Sequence, residues 1–137
     1  MIVPTEPWMA KVVADNLRRK DKRLMKSWCT SEPDVLAYMA MTESLLSWVV
    51  MDPDMNPVGA LGADYDDKPS GMGLCWMYST KDIGKARWSL ARGVRGLVDV
   101  SRLHWPALRL MPEPWDEKQR RFLKFVGFEE RHGELIA

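Results

Sequence analysis

Two cysteines in 137 residues, Cys29 and Cys75, are too few for a disulfide framework. Cys75 sits in an apolar run where a free thiol packs as a small hydrophobe, which fits a reducing cytosol. The two histidines, His104 and His132, are far apart, and no His or Cys spacing makes a metal site. Charge of one sign is also missing. A formal net charge of +1 gives no global pull toward nucleic acid or an anionic membrane, so any basic patch must be local. No apolar run is long enough to span a bilayer, and Met1–Pro7 lacks the basic and apolar regions of a signal peptide. A cytoplasmic protein is the expectation.

What is present suits one soluble domain over residues 1–137, with 46% hydrophobic and 28% charged residues and enough chain to bury a core. Ten methionines and seven tryptophans are many for this length. In a small domain they read first as core and groove lining, not as a platform for stacking bases.

Residues 2–5 can form a short strand closed by Pro7. From Trp8 to Trp28 the positions Met9, Val13, Leu17, Leu24 and Trp28 follow a helical spacing, predicting one helix. Its second half carries Arg18, Arg19, Lys20, Lys22, Arg23 and Lys26, with Asp21 among them and no interleaved aromatics. A solvated helix face is favoured there over a nucleic-acid surface. Ser31-Glu32-Pro33-Asp34 reads as a capped start for a second helix through Val35–Met41. Leu45–Met51 and Pro57–Tyr65 predict an antiparallel hairpin around Asp52–Asn56. The Asp52, Asp54, Asn56 spacing has the look of a calcium loop, but Pro57 and Ala63 stand where that loop needs glycine and a bidentate glutamate. A turn is the better reading.

A strand at Gly73–Tyr78 follows, then a helix over about Ile83–Leu103 whose buried stripe is Ile83, Ala86, Leu90, Val94, Leu97 and Val98. Trp105–Met111 predicts another strand and Pro114 opens a helix through Val126. Gly127 can cap that helix, and Phe128–Arg131 with Glu134–Ile136 gives a last β pair.

The join at Leu74–Leu90 is the most informative stretch. A strand passes through a short loop ending in Gly84-Lys85-Ala86 into a basic amphipathic helix. A glycine there lets backbone approach a ligand, and the helix start offers unpaired N–H groups. With Lys81, Lys85 and Arg87 these favour an anion, most simply a phosphate. The competing reading is the plain start of a basic surface helix.

The order of elements resembles the GNAT superfamily of acyl-CoA N-acyltransferases. Lys81-Asp82-Ile83-Gly84-Lys85-Ala86 is similar to that family's pyrophosphate loop, and Arg121–Phe128 to its late helix ending in Gly-Phe. A narrower resemblance links Trp76, Gly84-Lys85-Ala86 and Arg121–Lys124 to the GNAT-like internal virion proteins of short-tailed phages. The family implies an α+β, three-layer α/β/α fold with about four helices. Its sheet is mixed and mostly antiparallel, with central parallel strands splayed apart. It implies acetyl-CoA or CoA as ligand, with pantetheine along Trp76, Met77 and Tyr78 and pyrophosphate on Lys81, Ile83, Gly84, Lys85, Ala86 and Arg87. An enzyme would pass an acyl group to a small-molecule or protein amine. A phage component would instead sit among virion proteins and be catalytically inactive.

The catalytic positions are sparse. The family's tyrosine corresponds to Leu123, which has no proton to give, and its polar asparagine to Asp116. Tyr78 is the only phenol near the cofactor strand, with packing or capping as its alternative role. Glu113, Asp64 and Asp66 are the candidate bases, against structural roles for each. Holding amine and thioester together already contributes heavily to rate, so transfer by proximity stays open.

Overall fold

The computed structural model describes residues 1–28, 31–66, 71–110, 117–131 and 134–137. In chain order the elements are β1 (Ile2–Pro4), α1 (Pro7–Asp15), α2 (Arg19–Trp28), α3 (Pro33–Glu43), β2 (Leu46–Met51), β3 (Pro57–Tyr65) and β4 (Gly73–Ser79). A 3-10 turn (Ile83–Ala86) then leads into α4 (Arg87–Ser101), β5 (Leu108–Leu110), α5 (Glu117–Phe125), β6 (Glu129–Arg131) and β7 (Glu134–Ile136). One sheet runs β1-β2-β3-β4-β5-β7-β6, antiparallel throughout except where β4 and β5 lie parallel. Among the described residues no helix is long and apolar enough to cross a membrane.

Strand alternation divides the interior into two cores. Val50, Leu61, Cys75, Leu108 and Leu110 face α4 and α5, meeting Val94, Leu97, Val98 and Leu123. Val49, Met51, Ala60 and Tyr78 face the other way, onto Met9, Val13, Met25, Ala37 and Met41 from α1, α2 and α3. The three-layer α/β/α arrangement follows directly. The predicted stripe of α4 is the buried one, with Ile83 and Leu90 packed at its margin.

The β2–β3 hairpin forms in the expected register, with Leu46 opposite Ala63 and Val49 opposite Ala60. Its turn explains the acidic spacing. Asp52 Oδ1 accepts the N–H groups of Asp54 and Asn56, both at 2.9 Å, and these bonds hold its carboxyl below the usual range. Gly127 has φ 116°, and the Phe128 N–H reaches back to the Leu123 carbonyl at 3.0 Å, closing α5 as a glycine cap should.

Three expectations need correction. The single helix at Trp8–Trp28 is two, so five α-helices are seen among the described residues where about four were expected. Leu17 forms a bridge with Thr80, and the Arg18 N–H donates to the Ser79 carbonyl at 2.9 Å, so contacts to β4 override local periodicity. The cap position before α3 is Glu32, extended and without a side-chain bond, and not a serine hydroxyl. The helix expected from Ile83 starts in earnest at Arg87, after the 3-10 turn.

Candidate functional site

The site is built along one edge of β4. The Thr80 N–H donates to the Val58 carbonyl on β3, and Gly59 to Tyr65 pair in register with Ser79 to Gly73. Antiparallel alternation then directs the backbone groups of Trp76 and Tyr78 to β3, and those of Gly73, Cys75, Met77 and Ser79 to the opposite edge. On that edge the Gly73 N–H donates to the Ala107 carbonyl at 2.9 Å, beside β5. The β5 register ends at Leu74 opposite Arg109, so among the described residues no strand lies opposite Met77. Of the three residues expected along a pantetheine arm, only Met77 turns its peptide groups to the open edge.

Two residues beyond Met77 that edge is occupied. The Ser79 N–H donates to Asp21 Oδ2 at 2.8 Å, and the Ser79 carbonyl accepts the Arg18 N–H. Asp21 is buried, and Arg18 Nη2 lies 3.2 Å from its other oxygen. Both residues were read in the sequence as part of a solvated basic face. Arg19, Lys20, Lys22, Arg23 and Lys26 are exposed as expected. The one acid in the run is the residue that turns inward.

At the end of β4 the loop Thr80–Arg87 is partly folded on itself. The Asp82 N–H goes to Thr80 Oγ1, the Ile83 N–H to the Thr80 carbonyl, and the Lys85 N–H to the Asp82 carbonyl. Among the described residues no group of the protein takes the Gly84 N–H. A Cβ built on Gly84 would meet nothing within 4 Å. Ala86 is buried and Ile83 packs against the core, whereas Lys81, Gly84, Lys85 and Arg87 are exposed. The Arg87 guanidinium lies 5.6 Å over the Trp88 ring. The expected cradle of several free amides is therefore narrower than the sequence implied, with Gly84 as its open point.

A cavity of about 550 Å³ adjoins this loop, between the α1–α2 joint and the β2–β3 turn. Arg18, Arg19, Lys81 and Lys85 line it with Asp52 and Asp82. Lys85 Nζ is 3.6 Å from Asp82, and Arg18 is held by Asp21. Arg19 and Lys81 have no acidic partner among the described residues, leaving two cations for a ligand anion.

Tyr78 stacks on Trp76 at 5.2 Å, and Trp76 Nε1 donates to Ser44 Oγ at 2.9 Å. Burial, helped by the nearby Asp21 charge, pushes the Tyr78 phenol up to about 12. Such a phenol is a poorer proton donor than an ordinary tyrosine. Cys75 faces the other core and burial alone raises its thiol to about 12. Leu123, at the expected tyrosine position, is fully buried in the core beneath α5. Asp66 is committed to Arg109, which it grips through two hydrogen bonds at 2.9 and 3.0 Å, while Glu134 takes the same guanidinium at 2.7 Å. Asp64 caps the Tyr65 N–H. Glu113 and Asp116 lie outside the described residues. Among the described residues no cluster could hold a metal ion.

No family model matches the chain, and neither does any curated protein. Solved structures do match. A spermidine N-acetyltransferase SpeG chimera from Vibrio cholerae and hSSAT superposes with a TM-score of 0.67 at 13% identity, covering 100% of this chain and 93% of its own. The aminoglycoside acetyltransferase AAC(6')-Ib in complex with coenzyme A gives 0.66 at 13% identity, covering 100% and 93%. The ribosomal-protein-S5-alanine acetyltransferase from Vibrio fischeri gives 0.64 at 13%, covering 98% and 89%. The expected GNAT fold is borne out, with its mostly antiparallel seven-stranded sheet and single parallel pair. The narrower likeness to internal virion proteins gains no support.

Proposed function

We propose that the chain is an N-acyltransferase-like protein that binds an acyl-CoA through the β4 edge and the Thr80–Arg87 loop and passes the acyl group to an amine. The observation that carries this is Gly84: an exposed glycine in the loop that follows β4, with an open Cβ side and an N–H that no described residue takes. That N–H is placed to donate to a phosphate oxygen, and Arg19 and Lys81 add the positive charge that a diphosphate requires. Met77 offers its peptide groups to an amide-bearing arm. Its side chain and that of Ile83, packed at the margin of the α4 core, supply apolar wall.

Acetyl-CoA when bound supplies an activated thioester carbonyl. The chain's own contribution is chiefly to hold the amine nitrogen against that carbon and to exclude water, since Leu123 offers no proton and Tyr78 is a poor donor. Glu113 keeps the general-base role that the sequence suggests, to be checked by Glu113→Gln. The neighbours named for spermidine, an aminoglycoside and a ribosomal-protein alanine all carry amine acceptors in their names, and an amine is the acceptor class proposed for this chain.

A second reading, a GNAT-fold protein that does not transfer acyl groups, is favoured by the buried Leu123 and by the Asp21 and Arg18 contacts at Ser79. Thiol release from acetyl-CoA, followed across a panel of polyamines, aminoglycosides and peptide amines, separates the two. Amine-dependent release supports the enzyme. Release no faster than buffer with every acceptor, from protein that still binds acetyl-CoA, leaves only the second.

A further inference from the structure

We infer that Arg18 and Asp21 form a displaceable plug in this site, occupying the stretch of β4 edge that an extended ligand arm needs. The inference rests on the reading of an acyl-CoA lying along β4. Met77 and Gly84 are contact points that no described residue occupies, and Ser79 stands between them along the chain. Both backbone groups of Ser79 are already used, its N–H by the Asp21 carboxylate at 2.8 Å and its carbonyl by the Arg18 N–H at 2.9 Å. An arm running from Gly84 to Met77 meets that pair of bonds and must replace them.

The contact has the make-up of a removable piece. It is one isolated bridge, Leu17 with Thr80, followed by a side-chain clasp, and not a strand of the sheet. Beyond the clasp, α2 is anchored by Met25 while its cations stand in solvent. The clasp is also incompletely satisfied, because Arg18 Nε is buried without a hydrogen-bond partner among the described residues. An amide carbonyl from a ligand arm can accept the Ser79 N–H as Asp21 does, and an amide N–H can serve the Ser79 carbonyl as Arg18 does. The peptide N–H is exchanged for a similar donor, whereas the carboxylate is the stronger, charge-assisted acceptor that the arm must displace. Asp21 therefore sets how readily the arm binds, while the phosphate end is held chiefly by Gly84, Arg19 and Lys81.

Calorimetric titration of the wild type, Asp21→Ala and Asp21→Asn tests this with two probes, pantetheine for the arm and ADP for the diphosphate. Pantetheine affinity is expected to rise roughly ten-fold or more in Asp21→Ala, because a charge-assisted competitor has gone. Asp21→Asn keeps an acceptor for the Ser79 N–H and gives a smaller rise, and it carries the test should the alanine variant fail to fold. ADP affinity rises less than pantetheine affinity, since Asp21 also holds Arg18, which lines the anion cavity. An equal rise for both probes overturns the plug. Pantetheine bound equally by wild type and variants, or by none of them, overturns the plug. ADP bound by none of them overturns the phosphate reading instead, and the pantetheine comparison still decides on Asp21.

Discussion

One edge of β4 is satisfied in two ways. At its start the Gly73 N–H meets the Ala107 carbonyl, Leu108 lies opposite, and Trp105 closes over both with its ring 2.5 Å from where a Gly73 Cβ would stand. At its end Ser79 is met by a carboxylate and a peptide N–H from the start of α2, flanked by solvated cations. Buried peptide groups need partners in both places. In the first, apolar side chains seal the pairing, and opening it would expose core. In the second the partners are a buried carboxylate and a peptide N–H, and the proposed ligand arm would take their place. On the proposed reading the first end holds and the second exchanges with ligand.

The largest effect should come from the sealed end. Leu108→Ala empties a fully buried position and is expected to cost about 2–5 kcal/mol in urea unfolding. Gly73→Val forces the Trp105 ring and Leu108 to move and should cost about 1–3 kcal/mol, or more if they cannot shift. At the exchanging end, Asp21→Ala leaves the Ser79 N–H without its acceptor and should cost roughly 1–3 kcal/mol. A loss from Asp21→Ala as large as that from Leu108→Ala would erase the distinction.

Alkaline titration sharpens it. Cys75 and Tyr78 hold their protons to about 12 in the folded chain, against ordinary values of 9.0 and 10.0. The unfolded chain releases protons first as pH rises, so these two groups leave stability intact below about pH 9 and erode it between there and pH 12. Asp21→Asn should lower the Tyr78 phenolate transition without returning it to 10.0, because burial is the larger cause. Ultraviolet titration reads this directly. The smallest effect belongs to Gly84→Glu, whose side chain enters open space and should change unfolding by no more than about 0.5 kcal/mol.

Much of this fold was legible because hydrophobic spacing decided it. The β2–β3 hairpin, the stripe of α4 and the glycine cap at Gly127 all rest on residues within a few positions of one another. The clasp was not legible. Leu17 fits a continuing helix as well as a bridge to Thr80, and Asp21 looks like one solvated charge among many until residue 79 is beside it. Its only local signal was being the single acid in the run Arg18–Lys26. Arg109 was missed for the same reason, since a charged residue in the middle of a strand is explained only by Asp66 and Glu134 arriving from elsewhere. The Gly84 loop was half legible: its glycine and cations are sequence features, but Thr80 and Asp82 drawing in neighbouring amides is a matter of the turn's geometry.

Titration of coenzyme A into the wild type and Gly84→Glu, with melting temperature followed in parallel, bears most directly on the site. Saturable binding by the wild type is expected, with a stabilisation of about 2.7 kcal/mol at a hundred times Kd. Gly84→Glu should melt at the same temperature as the unliganded wild type and lose that binding. No binding by the wild type at millimolar coenzyme A, or equal binding by the glutamate variant, would contradict a phosphate site at Gly84.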